Sequence, residues 1–218
     1  MVNWKELETV LLDMDGTLLD LRFDNHFWKE FVPLKFAEKL GWSVDSAKEH
    51  LAPRFRSKEG TLDWYCLDYW SETLQLDIAA LKVEVSELIA VLPHVTEFLE
   101  KLKLTHHQVL LVTNAHRSSL SLKMGKTGLA SFFDAIVSSH DFGFPKEHPD
   151  FWHCLARQHP YDKTKTLLID DSLSVLQSAR NHGITHLVSI SRPDSSMPKK
   201  AVEGFSAIED FRELMPGL

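Results

Sequence analysis

Five short apolar runs, interleaved with stretches of helical periodicity, restrict this chain to an alternating α/β architecture. The runs are Val10-Leu11-Leu12, Val109-Leu110-Leu111-Val112, Ala135-Ile136-Val137, Thr166-Leu167-Leu168-Ile169 and His186-Leu187-Val188-Ser189-Ile190. Each is too short for a helix and apolar on successive residues, as in a strand covered on both faces. Between them Val95, Phe98, Leu99 and Leu102 mark one helix face. A short helix around Leu120 is expected to end near Gly125, another to span roughly Asp150 to Gln158, and a third to run from Leu173 to His182, closed by Gly183. The pattern predicts a Rossmann-like parallel sheet. After Ser191 the expectation is a loop with Pro193 and Pro198, then a last helix near Ile208 to Leu214.

One stretch breaks the alternation. From about Leu21 to Leu92 the chain is rich in aromatic and charged residues, with few strand-like runs. Phe23, Phe27, Trp28 and Phe31 recur at helical spacing, and a second cluster is Trp64-Tyr65-Cys66-Leu67-Asp68-Tyr69-Trp70. This reads as a helical insertion, with Pro33, Gly41, Pro53 and Gly60 as breaks. The expected division is an α/β core from residues 1–20 and 93–218 and an insertion from 21–92. With 218 residues, 44% of them hydrophobic, the chain can build such a core.

A net charge of -7 argues against a nucleic-acid-binding face and against a polybasic membrane contact. No apolar run is long enough to span a bilayer, and Met1-Val2-Asn3-Trp4-Lys5-Glu6 does not look like a signal peptide. Cys66 and Cys154 form neither a CxxC pair nor a zinc-finger spacing. They read as small buried residues, and a cytoplasmic location is expected.

Ligands of open α/β sheets bind at the carboxyl ends of strands. The first run ends in Asp13-Met14-Asp15-Gly16-Thr17, the second in Thr113-Asn114, and the fourth in Asp170-Asp171-Ser172; the loop after the third leads to Lys146. Taken singly, Thr113-Asn114 and Asp170-Asp171-Ser172 could be helix caps, and Lys146 a surface lysine. Together they supply what phosphoryl transfer needs: a metal cage, a nucleophile, and donors for the phosphoryl oxygens. Paired carboxylates are costly to bury without a cation, and all-oxygen ligation suits Mg²⁺.

On these motifs the chain resembles the haloacid dehalogenase superfamily of phosphohydrolases, over nearly its whole length. The resemblance implies Asp13 as nucleophile, forming an aspartyl-phosphate, and Asp15 as general acid and then base. It implies Mg²⁺ held by Asp13, the Asp15 backbone and Asp170, with Asp171 nearby. Thr113 and Lys146 would bind the phosphoryl group, and Asn114 would position that loop. An aspartate at Asp15 fits phosphatases and phosphomutases rather than dehalogenases or P-type ATPases. Lys146-Glu147 departs from the Lys-Pro of many relatives. Residues 21–92 fall where such enzymes insert a cap.

The strings VLLDMDGTLLDLRFDNHFW, TLDWYCLDYWSE, TNAHR, FGFPKE and LIDDS are similar to those of bacterial GMP/IMP nucleotidases. This implies a purine nucleoside monophosphate as substrate. Trp64 and Tyr65 could then stack on the base, although spacing favours packing within the insertion for at least half of Trp64, Tyr65, Tyr69 and Trp70. Candidate base-reading donors are Asn25, Arg54, Arg56 and Lys58; candidate acceptors are Asp24 and Asp63. Arg117 could reach the substrate or simply open a helix. The alternative substrates are a small sugar phosphate or phosphorylated acid. A phospho-acceptor receiver domain is disfavoured by the DxDGT order and by the insertion.

Overall fold

A computed structural model describes residues 2–218. Six strands form one parallel sheet: β1 (Thr9–Leu12), β2 (Gln108–Thr113), β3 (Ala135–Ser138), β4 (Thr166–Asp170), β5 (His186–Ile190) and β6 (Ser206–Ile208), in the order β3-β2-β1-β4-β5-β6. The five expected runs are strands. β6 is an addition: a last helix was expected near Ile208, but residues 206–208 pair with β5 and only Phe211–Leu214 turn, as a 3₁₀ helix. Three residues with one buried side chain carry too little periodicity to be recognised; here the pairing edge of β5 decides.

Successive strand residues face opposite layers. Leu11, Leu110, Val112 and Leu168 pack with Phe151, Trp152, Leu155, Val175, Leu176 and Ala179. The last six lie on α9 (Pro149–Gln158) and α10 (Leu173–His182). Val10, Leu12, Val109, Leu111, Leu167 and Ile169 face the other way, toward Phe98 and Leu102 of α7 (Val95–Lys103) and Leu120 and Met124 of α8 (Arg117–Thr127). Helix α8 runs past the expected stop at Gly125 and closes at Gly128, whose φ of 71° suits a left-handed cap. Gly125 sits inside this helix with open space where a Cβ would stand, so packing does not require a glycine there.

Between β1 and β2 lie α1 (Arg22–His26), α2 (Val32–Leu40), α3 (Val44–Arg56), α4 (Leu62–Tyr65), α5 (Leu67–Leu74) and α6 (Ile78–Glu84). The entering and leaving legs are pinned together: Asp20 N–H donates to Ala90 at 2.9 Å, and Leu92 N–H donates to Leu18 at 2.9 Å. The insertion's apolar residues, among them Phe23, Phe27 and Trp70, belong to the same continuous core as β1 and β2. Two expected breaks are not breaks. Pro53 sits inside α3, and Pro33 sits in the first turn of α2. A π-helical turn, Phe27–Phe31, precedes Pro33, and Val32 N–H reaches back to Phe27. That wide turn eases the clash a proline ring makes with the preceding helical carbonyl.

The chain reverses its winding direction at β1, between β2 and β4, and this makes the crevice where ligands of such sheets bind. Asp13 extends the ladder by one bond, its N–H donating to Ile169 at 3.0 Å.

Candidate active site

Asp13 and Asp170 leave adjacent strands, and a buried lysine joins them. Lys146 Nζ lies 2.5 Å from Asp13 Oδ1, 2.7 Å from Asp170 Oδ2 and 3.1 Å from the Val112 carbonyl. Lys146 is only 2% exposed. Burial alone would strip its proton, but the two carboxylates hold its pKa well above the ordinary lysine value. The backbone on either side is anchored. Lys146 N–H donates to Asn114 Oδ1 at 2.9 Å, and its carbonyl accepts Trp152 Nε1 at 2.9 Å. Asn114 Nδ2 in turn donates to Glu147 Oε2 at 3.0 Å. Thr113 is buried beside them, its Oγ1 accepting the Ala115 N–H.

One carboxylate oxygen each of Asp13, Asp170 and Asp171 lies within 4.8 Å of the other two. Burial pushes Asp13 up to about 6 despite Lys146, and raises Asp170 and Asp171 as well; Asp13 and Asp170 further raise Asp171. Three carboxylates face one ammonium, so the group carries two surplus negative charges when fully ionised. An all-oxygen set with that surplus fits a divalent hard cation such as Mg²⁺. The turn between Asp15 and Thr17 needs a glycine twice over: Gly16 has φ +83°, and a Cβ there would stand 2.7 Å from Asp171 Cγ.

Asp15 belongs to a second buried group. Lys123 Nζ bridges Asp15 Oδ1 and Asp24 Oδ2, both at 2.6 Å, and Lys82 Nζ lies 2.7 Å from Asp24 Oδ1. Lys82 and Lys123 are 3% and 1% exposed. Burial, then the Asp24 charge, push Asp15 up to about 6. For Asp24 burial acts upward too, but the two lysines outweigh it and hold the carboxyl at about 2.

These groups line one cavity of about 470 Å³, which extends from Asp13 and Asp15 to Trp28, Phe55, Trp64 and Tyr65 of the insertion. A larger surface groove of about 750 Å³, bounded by Leu92, Arg192 and Arg212, contains none of the strand-end carboxylates. The structure thus brings Asp13, Asp15, Thr113, Asn114, Lys146, Asp170, Asp171, Trp64 and Tyr65 to a single cavity. Trp70 is instead buried within the insertion, donating to the Trp64 carbonyl. Tyr65 Oη donates to Glu147 Oε1 at 2.8 Å, a link between insertion and sheet through the residue that departs from Lys-Pro.

Among the candidate base readers, Asp24 is committed to two lysines and does not stand free as an acceptor. Asn25 lines the cavity with its amide held by Asp194 at 2.7 Å. Lys58 pairs with Asp63 at 2.8 Å, and Arg117 pairs with Asp141 through its Nε at 2.8 Å; none of these four lines the cavity, nor does Arg54. Arg56 does, together with Lys29 and Glu59, which the sequence reading did not single out. It also missed Lys82, Lys123, Trp28 and Phe55. A signal existed for the lysines: each occupies an apolar helical stripe, Ile78-Leu81-Lys82 and Leu120-Lys123-Met124.

Comparison with known proteins decides the family. The model for haloacid dehalogenase-like hydrolases matches residues 10–189. The chain belongs to this family. It is 41% identical over 217 residues to the GMP/IMP nucleotidase YrfG of Escherichia coli, covering 100% of this chain and 98% of that one. It is 27% identical over 210 residues to a phosphoglycolate phosphatase of Nitrosococcus oceani, covering 88% and 92%. A phosphatase of the same family from Thermococcus onnurineus superposes with a TM-score of 0.82 at 24% identity, covering 96% and 97%. The fold is therefore the haloacid dehalogenase-like one, and the protein is a hydrolase of that family. Among the described residues no helix is long and apolar enough to cross a membrane.

Proposed function

We propose that the protein is a Mg²⁺-dependent 5′-nucleotidase acting on GMP and IMP through an aspartyl-phosphate. The observation that carries this reading is the full-length 41% identity to a GMP/IMP nucleotidase. The cavity supports it, because carboxylates and Lys146 occupy one end while Trp28, Phe55 and Trp64 form an aromatic wall at the other. An aromatic face can stack a purine for about 1–3 kcal/mol. Helices of residues 21–92 serve as the cap over the site.

Asp13 attacks phosphorus, forming a P–O bond to its carboxylate while the bond to the ribose 5′ oxygen breaks. Asp15, whose raised pKa favours the protonated acid, gives its proton to that departing oxygen. It then takes a proton from water as the water attacks phosphorus, which breaks the P–O bond to Asp13 and frees phosphate. Lys123 on Oδ1 fixes the Asp15 rotamer through both steps. Lys146 and Thr113 hold the transferring group, and Asn114 positions Lys146. Mg²⁺, held by Asp13, Asp170 and the Asp15 carbonyl, would screen the nucleophile from the phosphate's charge.

Preference within purines follows from group polarity. GMP and IMP present an acceptor at C6 and a donor at N1, and AMP presents the reverse pattern. Arg56 and Glu59 line the cavity as a donor and an acceptor. A mismatched polar group costs about 1–3 kcal/mol, so discrimination can exceed about tenfold. The test is kcat/KM for GMP, IMP, AMP and a sugar phosphate, with Mg²⁺ and with chelator. GMP and IMP should lead, and chelator should stop turnover. A win for AMP or the sugar phosphate rejects the nucleotidase reading, and full activity in chelator rejects the metal.

A further inference from the structure

Cys66, His116 and His140 form a cluster that the phosphate chemistry does not use. Each offers one ligand atom, and the three atoms lie within 4.8 Å of one another. Cys66 caps the start of α5, His116 immediately precedes α8, and His140 lies in a 3₁₀ turn, Ser139–Asp141, after β3. The two imidazoles meet edge to face with centroids 5.0 Å apart. His140 Nε2 is buried and has no hydrogen-bond partner. An orphaned buried polar atom of that kind is costly and calls for an explanation. Burial, then the neighbouring His116, lower the His140 pKa, so the ring is held in the neutral form that ligates metals. His116 is only loosely engaged, with Nδ1 3.4 Å from the Ser118 N–H and Nε2 3.5 Å from Asp68 Oδ2. The Cys66 sulfur accepts the Tyr69 N–H at 3.4 Å.

We propose that Cys66, His116 and His140 form a zinc site, completed by water, that ties the cap to the α/β core. One thiolate and two imidazoles suit zinc and offer little to Mg²⁺, so this site and the strand-end carboxylates select different cations. With bonds of about 2.0–2.3 Å, ligand atoms around tetrahedral zinc lie about 3.3–3.8 Å apart. From separations within 4.8 Å, the three atoms reach that spacing by contracting at most about 1.5 Å. Binding forms one S–Zn and two N–Zn bonds, and the thiol proton passes to solvent. Cys66 belongs to the cap, while His116 and His140 belong to the core. His116 also lines the catalytic cavity, so the ion would stand at its rim.

Cobalt is the spectroscopic probe, because a thiolate–cobalt bond gives a charge-transfer band that carboxylate ligation cannot give. In saturating Mg²⁺, one equivalent of Co²⁺ should produce the band in the whole protein, and Zn²⁺ should abolish it. Cys66→Ser should lose the band and Asp170→Ala should keep it. The unmodified protein gives an independent readout. Zinc should slow alkylation of Cys66 at least tenfold and leave Cys154 unaffected. No band at one equivalent, a band that survives in Cys66→Ser, or equal protection of both cysteines would overturn the site.

Discussion

Two buried lysines each bridge two aspartates at the same sheet end, yet the two groups are built to different charge balances. Lys146 joins Asp13 and Asp170, and Asp171 stands close by, influenced by the charge of Lys200 but in salt-bridge contact with no lysine. Lys123 joins Asp15 and Asp24, and there a second lysine, Lys82, restores neutrality. Buried charges of unequal number ask for another ion, whereas balanced ones ask for nothing. The first group is thus left open to a divalent cation. The second is closed, and its output is the orientation and proton affinity of a single side chain, Asp15. Lysine count, rather than acid count, distinguishes the part proposed to bind metal from the part proposed to support it.

The strongest test of this contrast removes the reacting acid from the open group. Asp13→Asn should lower kcat by on the order of 10⁴-fold or more, with the fold retained. Steady-state phosphate release on a clean preparation checks this, and near-normal turnover would dismiss Asp13 as nucleophile. The corresponding change in the closed group, Asp15→Asn, should cost about 10²–10⁴-fold on nucleotides. Its effect should be smaller on nitrophenyl phosphate, whose leaving group needs no proton. Equal losses on both substrates would mean that Asp15 serves attack rather than departure.

Stability separates the groups next. Lys146→Met and Lys123→Met should each cost about 3–5 kcal/mol by urea unfolding in chelator, because each strands buried carboxylates. Adding Mg²⁺ should recover more stability for Lys146→Met than for the unaltered protein. For Lys123→Met the Mg²⁺ gain should be no larger than in the unaltered protein. Equal recovery in both variants would erase the distinction between open and closed.

The smallest effect is the pH signature. Asp13 has a folded-state pKa of about 6 against an ordinary 3.8, so its ionised form costs stability above about pH 6. In chelator, Asp13→Asn should therefore be more stable than the unaltered protein at pH 7. That gain should shrink as pH falls below 6 and vanish below about 4. Asp24 runs the other way: held at about 2, it contributes stability above 3.8 that is lost as pH falls toward 2. Asp24→Asn should be the less stable variant at pH 7. Parallel unfolding curves for the two variants across this range would contradict the assignment.

The open group was legible in the sequence and the closed one was not. Asp13, Thr113 and Asp170 end or immediately follow apolar runs, and strand ends of a parallel sheet converge by geometry alone. Lys146 lies beyond the loop after the third run, so alone it reads as a surface lysine and was legible only together with the other strand ends. Lys82 and Lys123 lie on helices and approach the site from the side, through packing that no local spacing encodes. Their presence on apolar stripes was the available clue, since a lysine there must find a buried partner. Asp24 looked like a free acceptor because its partners are 58 and 99 residues distant. Pro33 and Pro53 looked like breaks because a wide turn or an interior proline is settled by the surrounding packing, not by the dipeptide.

Asp13 hangs from the ladder of the sheet itself, through its N–H to Ile169, and not from a loop. Amides in such central strands open only when the whole domain does, so the proposed nucleophile stays fixed while milliseconds pass. It cannot travel to meet its ester. Under the proposed function, motion during turnover belongs to what passes over the sheet ends: the arriving phosphate ester, the departing phosphate, and the helices that must let both through.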